Sequence, residues 1–385
     1  MIYSNLILNK HIFDSLIKYK EHNKLPNAFI FHGENGVGKE GHAIEFFAAL
    51  NCKEKKTEAC GFCKSCLKTK KLQHENLEII LPLPKTKTLS KNDSPLKGLT
   101  ENHIKLIEKN FSEKGANPYH NIYFESANTI LINSIREIKK TTSLSVGEKN
   151  IKVYLILQSE KLCFPNSESA NALLKILEEP PENTLFILIT KDISMLIDTL
   201  VSRSSTIYFP KIDTIEVSTY LKKENIDNSK CIAKISCGNI KNALKLANCY
   251  QDQISLIKIF FSLVVKSEEN NFSSLTVSLK KKEDSIDFLN LLNLFVKDLL
   301  ITQKNDTMEN INFTDLKSFS KDINLNNNEV NWSDCIILIN NAQNYILKNG
   351  LISLIFVALI IEMRKIISLK FYNINFIEEY LNYQT

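Results

Sequence analysis

The segment AFIFHGENGVGKE, residues 28–40, decides the fold of this 385-residue chain. A short apolar run enters a glycine-rich loop, and apolar residues at helical spacing follow in GHAIEFFAAL, residues 41–50. A strand, a loop and a helix are therefore predicted in that order. Closely spaced glycines let successive backbone N–H groups point at phosphate oxygens, while a lysine supplies a mobile cation. The residues that meet these needs are Gly33, Gly36, Gly38 and Lys39.

Glu40 follows this lysine, where magnesium-dependent nucleotide hydrolysis needs a Ser or Thr hydroxyl. A glutamate there is longer and acidic, so its charge opposes the binding of a polyphosphate. Hydrolysis also needs an acidic pair at the end of a neighbouring strand. Leu157 and Gln158 occupy those places, and Glu160 is the acidic residue nearby. The joint loss of two requirements favours a binding or structural role over turnover.

Three further apolar runs alternate with helical patterns, as parallel strands buried on both faces do. They cover residues 153–157, 185–190 and 206–209. The sequence therefore predicts a doubly wound α/β sheet with helices on both faces. The strand signal stops at about residue 215, and the rest is predicted to be helical, with the Asn- and Asp-rich stretch 304–331 as a loop.

The length of the chain predicts two or three domains, since one domain usually takes ~150 residues. Residues 1–210 would form the α/β domain, with an insertion at about 83–119 whose lysines are expected to be solvated. Residues 211–250 would form a small helical module and residues 251–385 a larger helical domain.

Four of the nine cysteines crowd into residues 52–66 with the spacing C-x7-C-x2-C-x2-C. Four thiolates complete one tetrahedral Zn²⁺ site, and because no coordination position stays open, the zinc would be structural. The predicted ligands are Cys52, Cys60, Cys63 and Cys66. His74 is expected to be packed or solvated rather than a fifth ligand.

The formal charge of +5, from 48 basic and 43 acidic residues, is too small to identify a nucleic-acid partner. The longest apolar stretch, residues 351–361, falls short of the ~20 residues that span a bilayer. The first residues lack the pattern of a secretory signal. We therefore predict a cytoplasmic protein without membrane contact.

Several segments, taken in order, resemble the bacterial clamp-loader family, the AAA+ subunits of the DNA polymerase III holoenzyme. They are LPNAFIFHGENGVGK at 25–39, the cysteine cluster, ANALLKILEEPP at 170–181 and VSRSS at 201–205. The resemblance covers about the first 250 residues, and the remainder matches only in being helical. It implies an AAA+ P-loop domain with a small zinc module, a helical lid at 211–250 and a helical collar that oligomerises.

Within the clamp-loader family, gamma/tau subunits bind and hydrolyse ATP, whereas delta prime subunits keep the fold with a degraded nucleotide site. Glu40, Leu157 and Gln158 bring this chain nearer to delta prime and argue against ATP binding and autonomous catalysis. The resemblance implies partnership with gamma/tau-like ATPases and a delta-like subunit in a hetero-oligomeric ring. Such a ring opens the sliding clamp and places it on primed DNA.

The family's Ser-Arg-Cys motif supplies an arginine that reaches the ATP of the adjacent subunit. The motif here is Ser202-Arg203-Ser204, so the resemblance implies a catalytic role for Arg203 on a neighbour's nucleotide. Thr190 matches the family's first sensor position. Lys241 falls where active subunits often carry the second-sensor arginine.

Two other interpretations stay open on sequence alone. One is an active gamma/tau-like ATPase in which Glu40 is tolerated and Glu160 replaces the missing acidic pair. The other is a zinc-containing, nucleotide-sensing regulator unconnected with replication.

Overall fold

The computed structural model describes residues 1–85, 88–124, 127–142, 150–266, 272–304, 311–327 and 330–367. Residues 86–87 of the predicted insertion and 368–385 of the predicted C-terminal domain lie outside them. The chain forms two compact units. The first contains Met1–Asn225 and Ser236–Leu244, and the second contains Ile226–Ile235 and the described residues from Lys245 onward. The division at residues 210 and 250 stays a prediction.

The first unit is built on a five-stranded parallel sheet with the strand order β2-β3-β4-β1-β5. The strands are β1 (Ala28–His32), β2 (Leu77–Ile80), β3 (Lys152–Ile156), β4 (Thr184–Thr190) and β5 (Ser205–Tyr208). The predicted runs match four of them within one residue at each end, and β2 was not among those runs.

Eight helices precede or follow these strands in the described part of the first unit. They are α1 (Lys10–Glu21), α2 (Lys39–Leu50), α3 (Lys64–Lys70), α4 (Glu101–Ala116), α5 (Ile132–Thr142), α6 (Glu168–Glu178), α7 (Asp198–Ser202) and α8 (Thr214–Lys223). The helical patch predicted within the insertion is part of α4.

Successive side chains of a strand point to opposite faces of the sheet, so an apolar strand makes both faces apolar. Helices cover both of these faces. Ile30 belongs to one core with Ile135 of α5 and Leu173 of α6. Phe29, the preceding residue, points to the other face and contacts the ring of Phe46 on α2. The predicted doubly wound α/β sheet is thus confirmed. Since the strands are parallel, the loops after β1, β3 and β4 gather at one edge, which is where such sheets place their ligands.

The second unit is helical. Its helices are α9 (Ser229–Ile235), α10 (Ile240–Lys266, from Lys245 on), α11 (Phe272–Ser278), α12 (Lys282–Gln303), α13 (Lys317–Asn326), α14 (Trp332–Leu347) and α15 (Ile352–Ile367). Its core contains the buried rings of Phe261, Phe295 and Trp332, which lie near one another. None of the described helices combines the length and the apolar character needed to cross a bilayer.

The loop prediction for residues 304–331 is wrong over Lys317–Asn326, which form α13. Leu316 and Ile323 are buried, and Asn324 accepts a hydrogen bond from the indole N–H of Trp332. Asparagine has a low helix propensity, but packing of an apolar face can outweigh propensity.

Candidate functional site

The loop between β1 and α2 depends on glycine for its conformation. Gly36 and Gly38 have φ angles of 77° and 87°, which side-chain-bearing residues rarely adopt. A Cβ atom on Gly36 would also lie 1.8 Å from Oδ1 of Asn239. The carbonyl of Gly36 accepts a hydrogen bond from the backbone N–H of Ile240 at 3.1 Å. The predicted phosphate loop is therefore held closely against residues 239–240.

Lys39 is folded back onto its own loop. Its Nζ atom donates to the carbonyl oxygens of Gly33, at 2.5 Å, and Glu34, at 2.6 Å. The side chain is buried, and this desolvation lowers the pKa of Lys39 to about 8. A phosphate would have to compete with these carbonyls for the ammonium group.

Glu40 forms an ion pair with Lys114 of α4, near the end of the predicted insertion. Lys114 is 2% exposed, so the expectation of a solvated lysine is wrong at this position. Its Nζ atom also donates to the carbonyl oxygens of Pro118, at 2.9 Å, and His120, at 2.8 Å. The carboxylate that replaces the metal-binding hydroxyl is thus already neutralised by a cation of the chain.

The loop borders a small cavity of about 60 Å³, well below the ~300–1,000 Å³ of a typical ligand site. Residues that the sequence analysis singled out lie together around it. They are Gly36, Gly38, Lys39, Glu40, Gln158, Glu160, Thr190 and Lys241, and Lys114 joins them. Leu157 occupies the other position where an acidic residue was expected. It is buried, and its backbone N–H donates to the carbonyl of Ile80.

The polar side chains after β3 and β4 differ in whether their hydrogen-bonding groups have partners. The amide of Gln158 donates to the carbonyl of Ile122 at 3.0 Å, and the hydroxyl of Thr190 donates to the carbonyl of Asp192 at 2.9 Å. Glu160 differs, because its Oε2 atom is buried without a hydrogen-bond partner among the described residues. Burial lowers the pKa of Lys39, and the negative charge of Glu160 partly opposes this effect.

These residues lack the groups that hold Mg²⁺ in a hydrolysing loop. The loop end offers no hydroxyl, its carboxylate is paired with Lys114, and Leu157 and Gln158 supply no negative charge.

The four predicted zinc ligands converge. The sulfur atoms of Cys52, Cys60, Cys63 and Cys66 all lie within 4.8 Å of one another. Four sulfurs bound tetrahedrally at about 2.3 Å from one zinc would be about 3.8 Å apart, and the sulfurs of Cys60 and Cys66 are 3.8 Å apart. Backbone N–H groups donate to the sulfurs of Cys52, Cys60 and Cys63. The donor set fits Zn²⁺ in a closed, structural site.

Arg203 lies at the end of α7, away from the residues that line the loop cavity. Its side chain is 41% exposed and donates to the carboxylate of Glu178 at 3.2 Å and to the carbonyl of Thr199 at 3.4 Å. The structure therefore places this guanidinium on the surface. Its catalytic role stays a prediction.

A family model described as "DNA polymerase III, delta subunit" matches residues 8–213, more than half of the chain. The chain belongs to this family. Its relatives confirm the resemblance drawn from the motifs, so the molecule is a clamp-loader AAA+ subunit with a four-cysteine cluster that could hold zinc.

Two relatives of this clamp-loader subunit illustrate the match. DNA polymerase III subunit tau/gamma of Haemophilus influenzae is 27% identical over 255 residues, 64% of this chain and 30% of that protein. DNA polymerase III subunit delta' of Bacillus subtilis is 23% identical over 231 residues, 59% of this chain and 55% of that protein. The chain thus spans about a third and about half of their lengths. A solved gamma-subunit-related protein of Thermotoga maritima is 14% identical, with a TM-score of 0.41 over 93% of this chain and 99% of that one.

His42 is a site residue of the clamp-loader subunit that sequence reasoning missed. It is 1% exposed on α2, where its Nε2 atom accepts from the backbone N–H of Asn9 at 2.8 Å. Its Nδ1 atom therefore carries the proton and donates to the carbonyl of Gly38 at 2.8 Å. Burial lowers the pKa of His42 to about 4. The neutral ring thus joins the phosphate loop to the N-terminus of α1.

We expect His42 to make the clamp-loader subunit less stable in mild acid. Its pKa is lower in the folded chain than the usual 6.5, so the unfolded chain binds the proton first. This contribution to stability is complete above about pH 6.5 and falls as the pH drops towards 4, with about 2 kcal/mol lost by pH 5. Urea unfolding at pH 7.5 and pH 5 measures it.

His42→Gln should remove this part of the pH dependence, whereas His22→Gln, at an exposed position, should keep it. Equal pH dependence in wild type and His42→Gln would contradict the assignment.

Proposed function

We propose that this chain is a delta-prime-like subunit of the DNA polymerase III clamp loader that does not hydrolyse ATP itself. It would act in the cytoplasm as a rigid partner in a hetero-oligomeric ring with gamma/tau-like ATPases and a delta-like subunit, which loads the sliding clamp onto primed DNA. The observation that carries this proposal is the ion pair between Glu40 and Lys114. It puts a neutralised carboxylate where a hydrolysing loop needs a metal ligand.

The groups that would bind and activate a nucleotide are also engaged elsewhere. Lys39 donates to its own loop, and the amide of Gln158 donates to Ile122. Without a metal ligand and an acidic partner, neither transition-state charge nor attacking water is stabilised. The zinc module, the lid at 211–250 and the collar at 251–385 complete the proposed subunit as structural parts.

The purified chain should therefore hydrolyse ATP no faster than its Lys39→Ala variant. Mixed with a sliding clamp, primed DNA, a delta-like subunit and gamma/tau-like ATPases, it should enter one complex that loads the clamp. Phosphate release measures the first result, and size-exclusion chromatography with a clamp-loading assay measures the second. Turnover by the chain alone that Lys39→Ala abolishes would refute the proposal, as would failure to co-assemble.

A second candidate, an active gamma/tau-like ATPase, is favoured by one observation. The Oε2 atom of Glu160 is buried beside the cavity without a hydrogen-bond partner among the described residues, so it is available to a ligand. If the chain does turn over ATP, Glu160→Gln should abolish that activity, because Glu160 would then replace the missing acidic pair. Retained activity in that variant would exclude this route.

A further inference from the structure

The end of the insertion packs directly onto the phosphate loop. A Cβ atom on Gly41 would lie 2.9 Å from both the side chain of Leu6 and Cβ of Pro118, so no space remains between these elements. The ring of Tyr119 would lie 3.3 Å from a Cβ on Gly38, and its hydroxyl accepts from the backbone N–H of Ile7 at 2.9 Å. The insertion therefore covers the last turn of the loop.

Lys114 is the charged centre of this contact. An ammonium group has three N–H donors, and those of Lys114 have three acceptors: Glu40, the Pro118 carbonyl and the His120 carbonyl. The side chain of Glu40 is only 18% exposed. Removal of either partner would leave a poorly hydrated charge, which is costly. The pair consequently ties the insertion to the loop.

The pair of Glu40 and Lys114 also lies where a hydrolysing loop binds its metal ion. In a hydrolysing loop the residue after the lysine holds Mg²⁺, a cation that is supplied together with the nucleotide. Here the residue in that place holds an ammonium group that belongs to the chain.

We propose that Lys114 is a built-in replacement for this metal ion, which keeps the loop in one conformation without nucleotide. Mg²⁺-dependent nucleotide binding is then opposed twice, because the carboxylate of Glu40 is already paired and because the ammonium group of Lys114 would repel the metal ion. This inference deepens the proposed function and rests on it for the clamp-loader context.

The experiment uses the full chain and four variants: Lys114→Met, Glu40→Thr, the double variant, and Lys109→Met as a matched control. Lys109 lies on the same helix, is 70% exposed at its side chain and pairs with Glu113 at 3.8 Å. Thermal unfolding midpoints are measured together with the binding of a fluorescent ATP analogue, in Mg²⁺ and in EDTA.

Each single change at the pair should lower the first unfolding midpoint by about 10 °C, because it leaves one charge unpaired. The double variant should regain more than half of that loss, since neither charge remains, and Lys109→Met should shift the midpoint by less than about 2 °C. Only the double variant should bind the analogue at least about tenfold more tightly in Mg²⁺ than in EDTA.

A Lys114→Met midpoint no lower than that of Lys109→Met would overturn the inference, as would Mg²⁺-dependent binding by the wild-type chain. If Lys114→Met does not fold, recovery of folded protein in the double variant supports the inference, and failure of both overturns it. The proposed function is tested separately. It fails if the wild-type chain turns over ATP, and it survives if only the stability result is negative.

Discussion

Replacing Arg203 with alanine should lower ATP hydrolysis at the adjacent site of a reconstituted loader by about 10³-fold or more, while the ring still assembles. A guanidinium group that reaches a neighbour's nucleotide stabilises charge that develops in phosphoryl transfer, and alanine cannot replace it. The position of Arg203 on the surface leaves it accessible to a partner subunit. To isolate the site, the other ATPase subunits carry loop-lysine-to-alanine changes, and clamp- and DNA-stimulated phosphate release is measured.

The ion pair with Glu178 does not prevent this role. Both side chains are substantially exposed, 41% for Arg203 and 53% for Glu178, and exposed pairs contribute at most about 1 kcal/mol. Arg203 can therefore leave Glu178 at little cost when a nucleotide phosphate is within reach. Glu178→Gln removes the partner but keeps the guanidinium group, so its ring should remain active. Wild-type hydrolysis in the Arg203→Ala ring would rule out the role in trans.

Loss of the zinc ion should unfold the cysteine module and lower the stability of the first unit. We expect about one zinc per chain after purification without chelator. Cys63→Ser should lose it, because three thiolates no longer close the site. Structural zinc sites contribute about 10–16 kcal/mol of apparent binding free energy at neutral pH, so the effect should be large. Metal analysis and thermal unfolding measure both results.

Loss of zinc should also destabilise the helices beside the cysteine module, because a zinc ligand caps the start of α3. The sulfur of Cys63 accepts from the backbone N–H of Cys66 at the start of α3. Ser65, also in α3, forms a hydrogen bond with the ring of His74. That ring in turn contacts the ring of Phe47 on α2. Cys163→Ser, outside the cluster, should keep the zinc. A zinc content near zero in untreated wild-type protein would contradict the assignment.

The sheet was predictable wherever burial is continuous. β1, β3 and β4 are covered on both faces, so each contains at least four consecutive apolar residues. β2 lies at the edge of the sheet and has only four residues, with Glu78 among them. The carboxylate of Glu78 accepts from Thr141 and lies 3.7 Å from the ammonium of Lys152. A charged residue whose partners are distant in sequence interrupts the apolar pattern, so β2 gave no separate signal.

The loop residues were predictable because they are close together in sequence. The contacts that neutralise Glu40 and bury His42 were not predictable, because they join residues that are far apart in sequence. Glu40 and Lys114 are 74 positions apart, and a lone lysine on a charged helix is ordinarily solvated. His42 belongs to an apolar helical pattern that predicts burial but not its bond to Asn9, 33 positions away. Such pairings arise from tertiary packing and have no periodic signal in the sequence.

The pair of Glu40 and Lys114 also bears on how this subunit could evolve. A return to a hydrolysing loop requires a hydroxyl at position 40, the loss of the ammonium at position 114 and a new acidic pair after β3. Either of the first two changes alone leaves an unpaired charge that costs about 3–5 kcal/mol, a large share of the ~5–15 kcal/mol that keeps a typical protein folded. If the chain is the non-hydrolysing subunit proposed above, single mutations towards catalysis at these two positions therefore pass through less stable intermediates.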